Sequence, residues 1–467
     1  MDIKNFFEDD QRYQLTLVEL AAIDNVGSML TLPYLQNYLD LSEYKLNTLI
    51  NDLNDSWYNL FNQQLFIKNG KNFIVHREIS INKITKFKSY LAKRSLPFRM
   101  FISTLLHKNL KEFSEENYIS FSKSYNVQKT LIHILSHYNI YIEKDVFVGD
   151  ETTIQLLAYQ LLFTVYYENE YLFPDEMKQA AVEYYRILES IFNWSLTPLE
   201  KTKIELYLIL TIIRQSSTGF NYLIALTDSK KMIALTQGWE KISDNSPAHF
   251  LLFLFCQGMI DAITIDDEKL LLYLGNEKRR FITLFTNYFQ VSVDDFFENP
   301  LFNIEFQRII LRQKFFPIVF QSFETIGSSA IMQNLFVSYD HFIRLLLSHY
   351  TFFNDELKNN SYYDFMMLLY HFFPIKEFEP TVTICIHFSR GKLYSEFIAD
   401  LITNFYLLPI KIEYKLSNRT DIYLSDFENK KFIRKQIIWK NPPDSRDWQI
   451  FIDTLSKARS EKYKKES

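Results

Sequence analysis

Nine glycines in 467 residues set the first limit on what this chain can fold into. Glycine reaches positive φ without strain, so tight β-turns and phosphate-cradling loops both draw on it. A chain this poor in glycine has little room for an all-β architecture or a nucleotide loop, and helices become the expectation. Hydrophobic residues make up 47% and charged residues 23%, a globular rather than a disordered balance, and the length allows three or more domains. The two cysteines, Cys256 and Cys385, are far apart and form no CxxC pair. That suits a reducing compartment and argues against a disulfide framework or a structural zinc site. Met1-Asp2-Ile3-Lys4 lacks the basic-then-apolar run of a signal peptide, and the most apolar stretch, Leu156 to Tyr167, is too short to span a bilayer. A soluble, cytoplasmic protein is expected.

The net charge of −5 speaks against nucleic acid until its distribution is read. Residues 66–130 carry thirteen Lys and Arg side chains against four acids, Glu78, Glu112, Glu115 and Glu116. Such a local excess suits a phosphate-facing patch, and equally a solvated face of ordinary helices.

Two segments repeat one order of elements. In the first, Leu15 to Ala22 reads as a helix, Thr31 caps Leu32 to Leu39, and Asp40-Leu41-Ser42 turns into a helix capped by Ser42 and running to about Leu53. Leu46, Leu49, Ile50 and Leu53 form its buried stripe, which leaves Lys45, Asn47, Thr48 and Asn51 outside. A hairpin follows over residues 65–75, turning at Asn69-Gly70 and carrying Lys68 and Lys71. In the second, Leu96 to Leu106 is a helix, Ser114 caps a short one to about Lys123, and Ser124-Tyr125-Asn126 turns into a third. That third helix buries Val127, Leu131, Ile134 and Leu135 and leaves Gln128, Lys129, His133 and Ser136 off the stripe. Wing strands are expected at Ile140–Ile142 and Val146–Val148. Two helix-turn-helix patterns in tandem, each with a hairpin, are far more specific than one.

From about Thr153 to Phe373 the pattern is almost wholly helical, with polar breaks near Asp266-Asp267 and Asp294-Asp295. After Pro374 short strands alternate with helices, as in a small parallel α/β domain. The fold class expected is therefore mainly α: tandem winged helix-turn-helix domains (1–82 and 83–152), two helical-bundle regulation domains (153–265 and 266–378), and a C-terminal α/β domain (379–467).

No enzymatic motif is present. Gly391-Lys392 is followed by Leu393 rather than the Ser or Thr of a phosphate loop, and HExxH, GxSxG and GxGxxG are absent. No enzyme, cofactor or metal site is expected, the His133/His137 pair having no third ligand nearby. The candidate DNA-contacting residues are Lys45, Asn47, Thr48, Asn51, Lys68, Lys71, Lys123, Asn126, Gln128, Lys129 and His133, because Asn and Gln suit adenine edges and Lys suits guanine or phosphate. His249, His341 and His349 fall in the helical region and are candidates for phosphorylation, although packing or surface roles are commoner for histidine.

The order of parts resembles the Mga/RofA-like family of Gram-positive virulence regulators. The closest local likeness is Phe113-Ser114 through Ser124-Tyr125-Asn126-Val127, then Phe147-Val148-Gly149-Asp150-Glu151 leading into an apolar helix. The resemblance implies a dimeric or higher-order transcription regulator acting on double-stranded DNA, mostly an activator of virulence or surface-protein genes. It also implies two domains like phosphotransferase-system regulation domains, open to a phosphocarrier of that system, and an enzyme IIB-like end. This chain departs from that pattern twice: residues 153–248 contain no histidine, and the expected phosphocysteine position reads His387-Phe388-Ser389, with Cys385 inside the strand. Phosphotransfer through the last domain is not expected, and dimerisation is the better role. An RNA-binding antiterminator with similar regulation domains is the alternative, and it would begin with a mainly β domain.

Overall fold

The computed structural model describes residues 3–23, 30–70, 72–75, 79–166, 173–214, 222–244, 246–291, 295–316, 333, 335–350, 355–405 and 409–466. It is mainly helical, 67% helix, with small sheets that include a four-stranded parallel one near the C-terminus. The chain packs as two compact units, Met1–Leu254 and Phe255–Ser467.

The first unit opens with α1 (Asp9–Ile23), β1 (Leu30–Thr31), α2 (Leu32–Leu39) and α3 (Glu43–Phe61). Thr31 and Ser42 cap α2 and α3 as their sequence positions require, accepting from Tyr34 N and Lys45 N. Helix α3 continues eight residues past Leu53, because Trp57 extends the buried stripe and packs on Phe61 and Phe87. β2 (Phe66–Asn69) and β3 (Asn72–Val75) make the hairpin, and β1 adds to its other edge, giving the order β1-β3-β2. Asn69 pairs with Asn72, so Asn69 belongs to the strand and not to an Asn69-Gly70 turn; Gly70 has φ +64°. Lys71 itself lies outside the described residues.

Helix α4 (Ile81–Arg94) leads to α5 (Leu96–Leu105), α6 (Leu110–Glu116) and α7 (Phe121–Ser136). The expected boundaries of the last two were wrong. Asn109, not Ser114, caps α6: its side chain accepts from Lys111 N and Glu112 N while Glu112 reaches back to Asn109 N, which closes a capping box. Ser114 sits inside α6, with its hydroxyl on Leu110 O and on Ser124 Oγ. Ser120 then caps α7 through Lys123 N, so Ser124-Tyr125-Asn126 is helix and not turn. β4 (Tyr141–Glu143) and β5 (Val146–Val148) form a two-stranded antiparallel hairpin where the second pair of strands was expected, turning through Lys144 and Asp145 at φ +49° and +61°.

The helices α8 (Glu151–Tyr166), α9 (Asp175–Phe192), α10 (Pro198–Arg214), α11 (Ser229–Trp239) and α12 (Ala248–Cys256) follow. Tyr159, Tyr184 and Tyr207 are almost fully buried among them, and Phe253 stacks on Tyr207 at 4.1 Å between ring centroids.

The second unit contains α13 (Glu268–Phe289), α14 (Pro300–Phe315) and the helices Val337–Ser348 and Asp355–Phe372. Their core is a cluster of phenylalanines in which Phe281 meets Phe302, Phe306, Phe342 and Phe365, and Phe285 meets Phe373 and Phe378. Edge-to-face and offset ring packing fills this space densely. Glu379 is buried and accepts from Ser338 N and Tyr339 N, so it caps the helix Val337–Ser348 from 40 residues away.

The parallel sheet runs in the order Lys435–Ile438, Ile422–Ser425, Val382–Ile386, Ile410–Glu413. The helix Lys392–Phe405 connects the last two of these. The final helix starts at Ser445, because Asp444 accepts from Arg446 N and Asp447 N.

The scarcity of glycine shows in how helices stop. Asp40, Asn62, Asn193 and Gln290 take the left-handed conformation just after α2, α3, α9 and α13. Asp and Asn, with short polar side chains, tolerate that region better than other non-glycine residues do, a help that the longer Gln290 lacks.

Candidate nucleic-acid interface

Both third helices stand at the surface with their polar faces out. In α3, Lys45, Thr48 and Asn51 are exposed and Asn47 is half-buried. Three of these are already engaged within the unit. Lys45 Nζ lies 2.8 Å from Asp10 on α1, and that hydrogen bond raises the pKa of the exposed ammonium. Lys68 on β2 donates to Asn47 Oδ1 at 3.2 Å, which brings the hairpin and the helix onto one face. Thr48 Oγ1 turns back to Tyr44 O. Helix α3 contains one lysine and three acids, Glu43, Asp52 and Asp55, so its own charge repels phosphate.

Helix α7 is different. It contains Lys123 and Lys129 and no Asp or Glu. Lys123, Asn126, Lys129 and His133 are exposed and Gln128 is half-buried. The Lys123 ammonium and the Asn126 amide make no hydrogen bond or ion pair among the described residues. Lys129 sits over the Tyr125 ring at 4.7 Å, which holds the ammonium without neutralising it. His133 and His137 stack edge to face at 5.3 Å, and no metal-holding cluster occurs among the described residues.

Moving the start of α7 from Val127 to Phe121 adds side chains that the sequence reading left out. Tyr125, 48% exposed, lies one turn before Lys129, and Phe121 and Tyr118 are also exposed beside the helix start. Ser120 three residues before Lys123 was the available signal, since a cap sets the first helical turn.

The basic stretch 66–130 is less of a patch than its count implies. Lys88 is buried beside Glu19, Lys108 pairs with Glu116, and Lys111 faces Glu115. Pairing consumes charge that composition counts as free.

No family model matches the chain, and no curated protein is similar to it.

The candidate histidines divide by burial. His249 is 5% exposed, with Nδ1 2.6 Å from the Tyr207 hydroxyl, and burial pushes its pKa down to about 4. It lines a small cleft with Gln155, Thr211, Arg214 and Ser246. His341 and His349 are both exposed on the helix Val337–Ser348 or at its end; His341 stacks on Tyr463 and His349 Nδ1 meets Leu345 O. Cys385 is buried within its strand and its thiol is pushed up to about 11 by burial and by Glu413, so it is no thiolate at neutral pH.

His249 makes stability depend on pH with a definite sign. The unfolded imidazole takes its proton near 6.5 and the folded one only near 4, so between those values the unfolded state binds more protons. Stability is therefore expected to fall as pH drops from 6.5 to 4, by about 3 kcal/mol from this group. Urea midpoints at pH 7 and 4.5 should show the loss, and His249→Gln should shrink it. Glu379, with its pKa raised to about 7 by burial, contributes in the opposite direction, so only the difference between variant and parent reads His249.

Proposed function

We propose that this protein is a DNA-binding transcription regulator that reads double-stranded DNA through two winged helix-turn-helix units, with the second supplying most of the affinity. The observation that carries the reading is α7, an acid-free helix that presents Lys123, Asn126, Lys129 and His133 to solvent directly before a two-stranded wing. Those residue types serve phosphate and base-edge contacts. The first unit adds Lys68, Asn51 and Thr48 on a more acidic face.

The protein acts as a homodimer or higher homo-oligomer, on this reading, with recognition helices spaced about 34 Å apart or a multiple of it. Activation of virulence or surface-protein genes is the further proposal, and it follows from the Mga/RofA-like resemblance alone. No helix among the described residues is long and apolar enough to cross a membrane, which fits an intracellular regulator.

Control by a phosphocarrier would act at His341 and His349 before His249. The first two imidazoles are open to solvent, whereas His249 must first leave the Tyr207 hydroxyl and its buried site. Replacing all three by alanine should abolish any sugar-dependent change in activity, and a change that persists would exclude this control.

The deciding experiment is a gel shift of the full chain on DNA from upstream of its own coding region, over a salt series. Binding that weakens steeply with salt is expected. No binding even at low salt would refute the reading, since phosphate contacts form there first.

A further inference from the structure

Behind the second helix-turn-helix unit lies a cavity of about 560 Å³. That is the size range of small-molecule sites. Its apolar wall comes from Phe98, Ile102 and Leu106 at α5, Phe113 on α6, and Tyr166 at the end of α8. Four charged residues complete it: Lys93, Arg99, Lys108 and Glu116. Lys108 is taken by Glu116, and Lys93 sits over the Tyr166 ring at 5.1 Å. The guanidinium of Arg99 is exposed and makes no hydrogen bond or ion pair among the described residues. Two further wall residues, Ser103 and Asn117, each carry a buried side-chain oxygen without a hydrogen-bond partner among the described residues.

We propose that this cavity is a binding site for a small organic acid with an apolar, aromatic or branched, body and one carboxylate head. The apolar wall takes the body, and Arg99 takes the head, because a free planar guanidinium matches a carboxylate with two parallel hydrogen bonds. A neutral apolar ligand would leave that guanidinium unused, and a polyanion would have to bury its charge on the wall of Phe98, Ile102 and Phe113. The occupant touches α5, α6 and α8 together, so it links the helices that carry α7 to the helical region that follows. That consequence rests on the DNA-binding reading; the binding itself does not.

Calorimetric titration of the full chain with 1-naphthoate, and with 1-naphthalenemethanol as its uncharged counterpart, tests the site without DNA. Saturable one-to-one binding of the acid is expected, at least about tenfold tighter than the alcohol. Arg99→Gln, at an exposed position where folding is not at stake, should remove most of that preference while leaving weak binding of both. Leu106→Trp should fill the cavity and abolish binding of either. Equal affinity for acid and alcohol, an unchanged preference in Arg99→Gln, or no binding of naphthoate at millimolar concentration would each overturn the proposal. Because no arm uses DNA, such a failure leaves the regulator reading standing, and a failed gel shift leaves this one standing.

Discussion

Replacing Lys123 and Lys129 together by alanine is expected to weaken binding to double-stranded DNA by about a hundredfold at 0.1 M salt. Each lysine that neutralises a phosphate releases condensed counterion, so removing two should lower the salt slope of log K by about 1.8. Both ammonium groups stand on the exposed face of a helix with no acid of its own, so their truncation leaves the fold intact. The matched pair on α3 and β2, Lys45 and Lys68, should cost less than about fivefold. Lys45 is already held by Asp10 and Lys68 by Asn47, so DNA must compete for them. Fluorescence anisotropy over a salt series distinguishes the two. An equal loss from both pairs would mean that α3 and α7 share the phosphate contacts, and an unchanged slope for the α7 variant would remove that helix from the interface.

The second large effect concerns stability. Arg214→Met is expected to destabilise the first unit by about 3–5 kcal/mol, the usual result of leaving one member of a buried ion pair behind. Arg214, at the end of α10, grips Glu151 in the first turn of α8 through two hydrogen bonds of 2.6 and 2.7 Å, and both side chains are about nine-tenths buried. The same guanidinium donates to Phe147 O on β5, so it ties the β4–β5 hairpin to the helices after it. Losing it leaves the Glu151 carboxylate buried with only the start of α8 to stabilise it. The double variant Glu151→Met/Arg214→Met should recover most of the loss, since apolar replacements carry no desolvation cost. Urea unfolding of the parent, both single variants and the double variant closes the cycle. Additive losses would show that the pair is not coupled.

Much of the secondary structure was legible because its signals are local. Thr31 and Ser42 cap their helices through bonds to residues three positions away, and the stripes of α3 and α7 follow the helical repeat. The strands of the C-terminal sheet were equally plain, since Val382–Ile386 is buried on both faces and has to be a continuous apolar run. Ser114 misled for a local reason as well. Several residues near it can cap, and the choice went to Asn109 because Glu112 completes a reciprocal pair and Phe113 then points into the core. Reading Ser114 as the cap displaced the whole start of α7.

The candidate site was legible as residue types but not as states. Lys45 and Lys123 look alike in sequence, each three residues after a capping serine. Lys45 meets an acid 35 positions earlier, whereas Lys123 meets none among the described residues. His249, His341 and His349 were one class in sequence, and packing against Tyr207 separates the first from the others.

What the sequence determined by itself was a mainly helical chain with two short hairpins and a parallel sheet, because capping bonds and periodic burial act over a few residues. The nine glycines were part of that: they foretold helices, and the left-handed Asp, Asn and Gln at helix ends are the consequence. Which cations stay free, which histidine is buried and where a cavity opens were decided only in three dimensions. Each depends on what residues tens of positions away place beside a given side chain, and no spacing along the chain encodes that distance.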